Sequence, residues 1–363
     1  SSEEVQNISE FYPQELAVTN SRVDGLETRL NEFEAGGFSE TTKASFTADF
    51  LLGAVDDSDE VATTDKFMAG YSFQIDLNTS FVDGDSLDIS IDAGNSKPDS
   101  DNTSGIGSTD GITELDGNST GDALNVDGVS YTFPLGDATF FVGDNSDGSS
   151  LFTTACTYGG ITNTLDDCGN VNAGPTGGGL AAGASYDFGN GFALALGYQN
   201  VDGEEDQGIM TTESTDTFAI NASYTGDNFG ISYTGASIED GEAVEDYDAY
   251  GALNAYYTPD SAAFPSISVG YEIGDDASKT TLEEITSFFV GLQWDEVGPG
   301  SLGVAMGHSS TVEGTDEEYM YEAYYSYSVN DGMTITPVIY TKDNATAGQD
   351  DTTGFLVKTS FSF

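Results

Sequence analysis

From Lys43 to Phe363, apolar residues recur at every second position in one short segment after another. Phe46, Ala48, Phe50 and Leu52 share a face, as do Phe67, Ala69, Tyr71, Phe73, Ile75 and Leu77. The same holds for Leu87, Ile89, Ile91 and Ala93, for Phe192, Leu194, Leu196 and Tyr198, and for Phe218, Ile220, Ala222 and Tyr224. It holds again for Ile267, Val269, Tyr271 and Ile273, for Phe288, Val290, Leu292 and Trp294, and for Tyr319, Tyr321, Ala323, Tyr325 and Tyr327. A period of two is the signature of strands with two unlike faces. The opposite faces carry Ser, Thr, Gly, Asn, Asp and Gln. About sixteen such segments follow one another, an even number within the range of membrane-spanning antiparallel barrels.

The connections between segments alternate in length. Pro134 to Asp137, Phe188 to Gly191, Gly226-Asp227 and Asn330 to Gly332 are short and built from turn residues. Residues 55–65, 95–121, 144–178, 201–215, 239–246, 274–283, 309–317 and 343–352 are long, acidic and polar. A soluble sandwich also alternates along its strands, but nothing in it requires a short-long rhythm. In outer-membrane barrels the short turns face the periplasm and the long loops face outward. The last segment, Phe355 to Phe363, alternates to its end and reads as the strand that closes a barrel on the strand after Lys43. The fold expected is therefore all-β: a transmembrane antiparallel β-barrel over residues 38–363.

Residues 1–37 differ. Leu16, Val23, Leu26, Leu30 and Phe33 fall on a heptad track that ends at Gly36-Gly37. They read as a short coiled-coil stalk; a lone amphipathic helix is the alternative. Ser1-Ser2-Glu3-Glu4 does not read as a signal peptide, so a mature or trimmed chain is expected.

The chain holds 63 Asp and Glu against 8 Lys and Arg, a formal net charge of -55. Phosphate binding needs clustered cations, so nucleic acid is excluded as an expected partner. With 22 Phe and 19 Tyr the chain is too aromatic for a disordered acidic polymer. Cys156 and Cys168 share one Gly-rich loop segment. In an oxidising compartment a local disulfide is the expectation; two free thiols are the alternative.

Several stretches together resemble a known family. They are Ser21 to Leu30 leading into Phe38 to Lys43, Leu87 to Asn95, Tyr131 to Gly136, Val290 to Trp294, Ile335 to Pro337 and Val357 to Phe363. The chain is similar to the major outer-membrane porins of cyanobacteria, barrels of the carbohydrate-selective porin type preceded by a coiled coil and an S-layer-homology domain. The resemblance implies a homotrimer in outer-membrane lipid with a periplasmic stalk; the short-turn side of the barrel puts the stalk and the C-terminus at the periplasm. It also implies a tether to the cell wall, but residues 1–15 match at most the last turn of the wall-binding domain, so wall contact by this chain stays open.

If the apolar faces meet lipid, the others line water. That assigns Asp49, Asp76, Asp88, Asp92, Glu272 and Glu322 to the lumen, with Lys342 and Lys358 as rare cations. Rings of carboxylate favour cations, over a reach of about 8 Å at physiological salt. The narrowest section is assigned to the loop 144–178, with Asp144, Asp147, Asp166 and Asp167 as the constriction candidates; an outer lid is the alternative. The clusters Asp56 to Glu60 and Asp99 to Asp101 offer oxygens to calcium, which takes roughly six to eight. Neither has the full spacing of a calcium loop, so diffuse counter-ion binding is the default, and no cofactor is expected. His308, the one histidine, has no evident catalytic partner in the sequence. The expected function is passive diffusion of ions and small hydrophilic solutes, with no enzyme activity. A poorly conducting envelope tether is the alternative.

Overall fold

The computed structural model describes residues 41–56, 67–95, 120–201, 208–239, 247–276, 283–344 and 350–363. Sixteen strands run through them in chain order. They begin with β1 (Thr42–Asp56), β2 (Met68–Thr79), β3 (Ser86–Gly94), β4 (Asn125–Leu135) and β5 (Ala138–Asp144). Then come β6 (Leu180–Asp187), β7 (Phe192–Asn200), β8 (Asp216–Thr225), β9 (Phe229–Glu239), β10 (Tyr247–Tyr257) and β11 (Ser266–Asp276). The last are β12 (Glu283–Val297), β13 (Gly300–Val312), β14 (Met320–Asn330), β15 (Met333–Lys342) and β16 (Thr352–Ser362). Each strand pairs with its chain neighbours, and β1 pairs antiparallel with β16, so the sheet is a closed barrel. Closure leaves no strand edge unpaired. The seam runs from Thr47 opposite Ser362 to Asp56 opposite Thr353. Phe46 and Phe363 add two backbone hydrogen bonds of 2.9 and 3.0 Å and stack their rings. The terminal alternation thus becomes the closing strand.

Burial is inverted relative to a soluble domain. On β8, Phe218 is 49% exposed and Ile220 is 44% exposed, while Asn221 on the same strand is 2% exposed. On β11, Ile267, Val269, Tyr271 and Ile273 are exposed while Ser268 and Glu272 are buried. An apolar band of this extent exceeds what a soluble monomer shows to water. It is the wall that a bilayer's hydrocarbon covers. The polar face turns inward.

The short and long connections segregate to opposite ends of the barrel. β4 ends at Leu135 and β5 begins at Ala138, with Gly136 at φ 67°. A side chain is disfavoured in that left-handed turn conformation. At the other end, β5 stops at Asp144 and β6 starts only at Leu180. No helix occurs among the described residues. The stalk residues Leu16, Val23, Leu26, Leu30 and Phe33 lie outside the described residues.

Candidate functional site

The loop between β5 and β6 lies inside the barrel. Its outgoing limb crosses strand after strand, and inward polar side chains meet its backbone. Gly148 N donates to Gln199 Oε1 on β7 at 2.9 Å, and Thr153 N to Asn221 Oδ1 on β8 at 3.0 Å. Ala155 N donates to Ser232 Oγ on β9 at 2.8 Å, Thr157 N to Ser268 Oγ on β11 at 2.9 Å, and Gly159 N to Gln293 Oε1 on β12 at 2.9 Å. At the far point Thr162 N donates to Glu322 Oε2 on β14 at 2.7 Å, and Ile161 N lies at 3.3 Å from the same oxygen. The return limb is held as well. Asn254 Nδ2 on β10 donates to the Cys168 carbonyl at 2.8 Å. Glu272 Oε2 on β11 accepts from Asn172 N and Ala173 N, both at 2.8 Å. A loop has no ladder of its own, so its buried backbone groups need partners from elsewhere. Here the barrel wall supplies them.

The tip of the loop is a ring closed by the Cys156–Cys168 disulfide. Inside it, the Tyr158 hydroxyl donates to Glu322 Oε1 at 2.7 Å. Burial and the neighbouring Glu322 carboxylate push the Tyr158 pKa up, which keeps that hydroxyl a donor. The Tyr158 ring lies 5.4 Å from Phe289 and 5.7 Å from Tyr324. Leu165, fully buried, joins them in an apolar cluster that continues through Met320, Val338, Tyr340, Leu356 and Leu51. The sequence reading sent apolar side chains to lipid. These point inward, because the loop brings apolar surface of its own into the lumen. Room for the loop is made by inward glycines. A Cβ on Gly270 would stand 1.8 Å from the Cys168 carbonyl oxygen, a clash only glycine avoids.

The expected lumen carboxylates divide into two groups. Glu272 and Glu322 lie on the inner face but are covered, at 0% and 2% exposure. They hold the loop instead of facing open water, a change of role from the sequence reading. The other group keeps to its own wall. Asp76 accepts from Gln74 Nε2 at 2.8 Å and Ser90 Oγ at 2.7 Å. Asp88 accepts from Asn78 Nδ2 and Ser86 Oγ, both at 2.6 Å. Asp92 is buried near the long-loop end of β3. Asp49 pairs with Lys358 at 3.0 Å across the seam. Lys342 is the last residue of β15. β2 stands diametrically opposite β10 in the ring, so Asp76 on β2 faces the loop across the lumen, while Asp49 and Lys358 on β1 and β16 adjoin the cluster at the loop tip.

The four constriction candidates are not equivalent. Asp144 ends β5, and Asp147 Oδ1 accepts from Gly177 N at 3.2 Å, tying the two roots of the loop together. Both sit at the base. Asp166 and Asp167 sit by the disulfide and line a concavity of about 370 Å³ within the loop, with Thr154, Asn170 and Thr176. Inward polar residues missed by sequence reading are Gln199, Asn221, Ser232, Asn254, Ser268 and Gln293. Residues 57–60 and 99–101 of the proposed calcium clusters lie outside the described residues. Among the described residues no group of three or more His, Cys, Asp or Glu is placed to hold a metal ion. His308 Nδ1 lies 2.9 Å from Thr311 Oγ1, and its ring meets that of Tyr319 edge-on at 5.3 Å, a packing environment.

At the short-turn end, Asp85 fixes the β2–β3 turn. The Tyr131 hydroxyl donates to it at 2.6 Å, and Phe81 N, Val82 N and Ser80 Oγ add their own bonds. The Tyr131 bond leads these in holding the carboxyl down to about 2.

No family model matches the chain. It is 25% identical to the uncharacterized protein alr4550 of Nostoc sp. (strain PCC 7120), over 99% of this chain and 72% of that protein. Among solved structures it is similar to an engineered variant of the porin of Rhodopseudomonas blastica, with a TM-score of 0.56 and 14% identity. That match covers 88% of this chain and all of the other. It is also similar to a loop-deletion mutant of OmpT, an outer-membrane protein of Vibrio cholerae, with a TM-score of 0.59 and 11% identity over 89% of this chain and all of that one. At these identities the likeness is one of architecture: the chain has the closed sixteen-strand barrel fold of porins.

Proposed function

We propose that this chain is an outer-membrane diffusion porin, passing inorganic ions and small hydrophilic solutes down their gradients. The observation that carries this reading is the β5–β6 loop, folded into a closed, polar-lined barrel and fastened from β7 to β14. A barrel of this strand number encloses an aqueous channel, and a loop fixed across it sets the width. Solutes are sieved by size. Carboxylates on the open wall and on the loop tip favour cations over anions. No bond is made or broken and no cofactor takes part, so the chain is not an enzyme. The working form in this reading is a homotrimer in outer-membrane lipid, with the C-terminus on the periplasmic side. The stalk of residues 1–37 and any loosely held calcium belong to the same proposal.

Reconstitution into planar bilayers tests it. The expected result is stepwise conductance, with reversal potentials in a KCl gradient that report a cation preference. Correctly folded protein with no conductance would sink the porin reading and favour an envelope tether. Anion preference would sink the acidic-sieve mechanism alone.

A further inference from the structure

Of the eight Lys and Arg in the chain, three fall among the described residues: Lys43, Lys342 and Lys358. Lys43 lies at the start of β1 and Lys342 at the end of β15, so both sit at barrel rims. Lys358 alone lies mid-strand, and its ammonium is 3.0 Å from Asp49 Oδ2 across the β1–β16 seam. The two side chains stay 30% and 15% exposed. Their position relative to the loop is fixed by register. Leu51 stands directly opposite Lys358, and Leu356 opposite Gly53. Leu51 and Leu356 belong to the apolar cluster that receives Tyr158 and Leu165 from the loop tip. One inward step along β1 and β16, toward the short-turn end, comes the ion pair. It therefore borders the line where the loop tip meets the wall.

We propose that the Asp49–Lys358 pair is a specificity-determining element of this pore. It is a locally neutral spot at the edge of the constriction that moderates the acidic lumen. The proposal rests on the porin reading. A charge at such a place acts on passing ions where the open passage runs within about a Debye length of it, roughly 8 Å at physiological salt. The pair as it stands cancels; either half alone would not. Lys358 thus limits cation preference, and Asp49 keeps Lys358 from attracting anions.

The test is the reversal potential of single channels in a KCl gradient, for wild type, Lys358→Gln, Asp49→Asn and the double variant. Lys358→Gln is expected to raise the cation-to-anion permeability ratio about twofold, the effect of one unit charge felt across roughly 8 Å of water. Asp49→Asn is expected to lower it by a similar factor, and the double variant to return near wild type. Gln at 358 still donates a hydrogen bond to Asp49, so that variant keeps the seam. Were Asp49→Asn not to assemble, Lys358→Gln and the double variant still decide. Conducting channels with the same reversal potential in all variants would overturn this inference and leave the porin reading standing. Folded wild-type protein without conductance would overturn both.

Discussion

The inner wall of this barrel comes in two halves, and the same side-chain types do opposite work in them. On β7 to β14, Glu272 and Glu322 are buried beneath the loop and accept its backbone N–H groups. On β2 and β3, Asp76 and Asp88 are bound by neighbouring Ser, Asn and Gln of their own wall. A buried carboxylate is tolerated when every oxygen has donors, and the loop supplies them. A half-wet carboxylate needs fewer donors and leaves its field in the lumen, where the proposed porin would use it on passing ions. The contrast shows that charge in this lumen cannot be counted; it has to be sorted by whether the loop covers it.

Breaking the covered half is expected to have the largest effect. Glu322→Ala strands the Tyr158 hydroxyl and the Ile161 and Thr162 N–H groups. Each hydrogen bond to a charged group is worth about 1.5–3 kcal/mol, so the tip should leave the wall. Limited proteolysis is then expected to cut within the loop of the variant and to spare it in wild type. The disulfide comes next. Cys156→Ser with Cys168→Ser opens a ring whose closure contributes about 2–4 kcal/mol in the chain-entropy account. The wall hydrogen bonds stay, so the expected result is a lower melting temperature with the loop still inside the barrel. Hydrogen exchange at residues 156–168, faster than in wild type, reads this out.

On the open half the effects shrink. Asp88→Asn removes one charge from a surface network and should change stability by less than about 1 kcal/mol. Its reversal potential should move toward weaker cation preference, with unfolding by denaturant unchanged. The smallest effect sits at the β2–β3 turn. The Asp85 carboxyl is held at about 2 in the fold, below its unfolded value of about 3.9. A depressed carboxyl contributes stability above its unfolded value, and that contribution is lost as pH falls through the folded one. The turn should therefore be indifferent to pH from neutrality to about 4. Asp85→Asn should abolish its acid sensitivity near pH 2, as read from the acid limb of thermal unfolding.

The barrel was legible because two-faced strands impose a period that loops cannot imitate, and because short and long connections sort by end. The seam was legible in Phe355, Val357, Phe361 and Phe363, whose alternation carries into the pairing with β1. The loop's path was not legible. Gln199, Asn221 and Asn254 look in sequence like any residues of a wet wall, and Glu272 looks like Asp76. Only the third dimension shows which of them the loop covers. One signal was present and unread: alternation breaks at Phe50-Leu51-Leu52, Phe288-Phe289-Val290 and Phe355-Leu356-Val357. In each triplet the middle residue is the one that points inward and is buried in the loop-tip cluster. In these three strands the doubled apolar run marks where the loop tip docks inside.

The most direct test of the account is to remove the loop without disturbing its roots. Ser149 N already bonds the Pro175 carbonyl at 3.1 Å, and Gly177 N bonds Asp147, so residues 150–174 can be replaced by a short glycine link. The measurement is the single-channel step conductance of this variant against wild type in planar bilayers. A loop that sets the pore width predicts a severalfold larger step and weaker discrimination between small and large solutes. An unchanged step in a correctly folded barrel would contradict it.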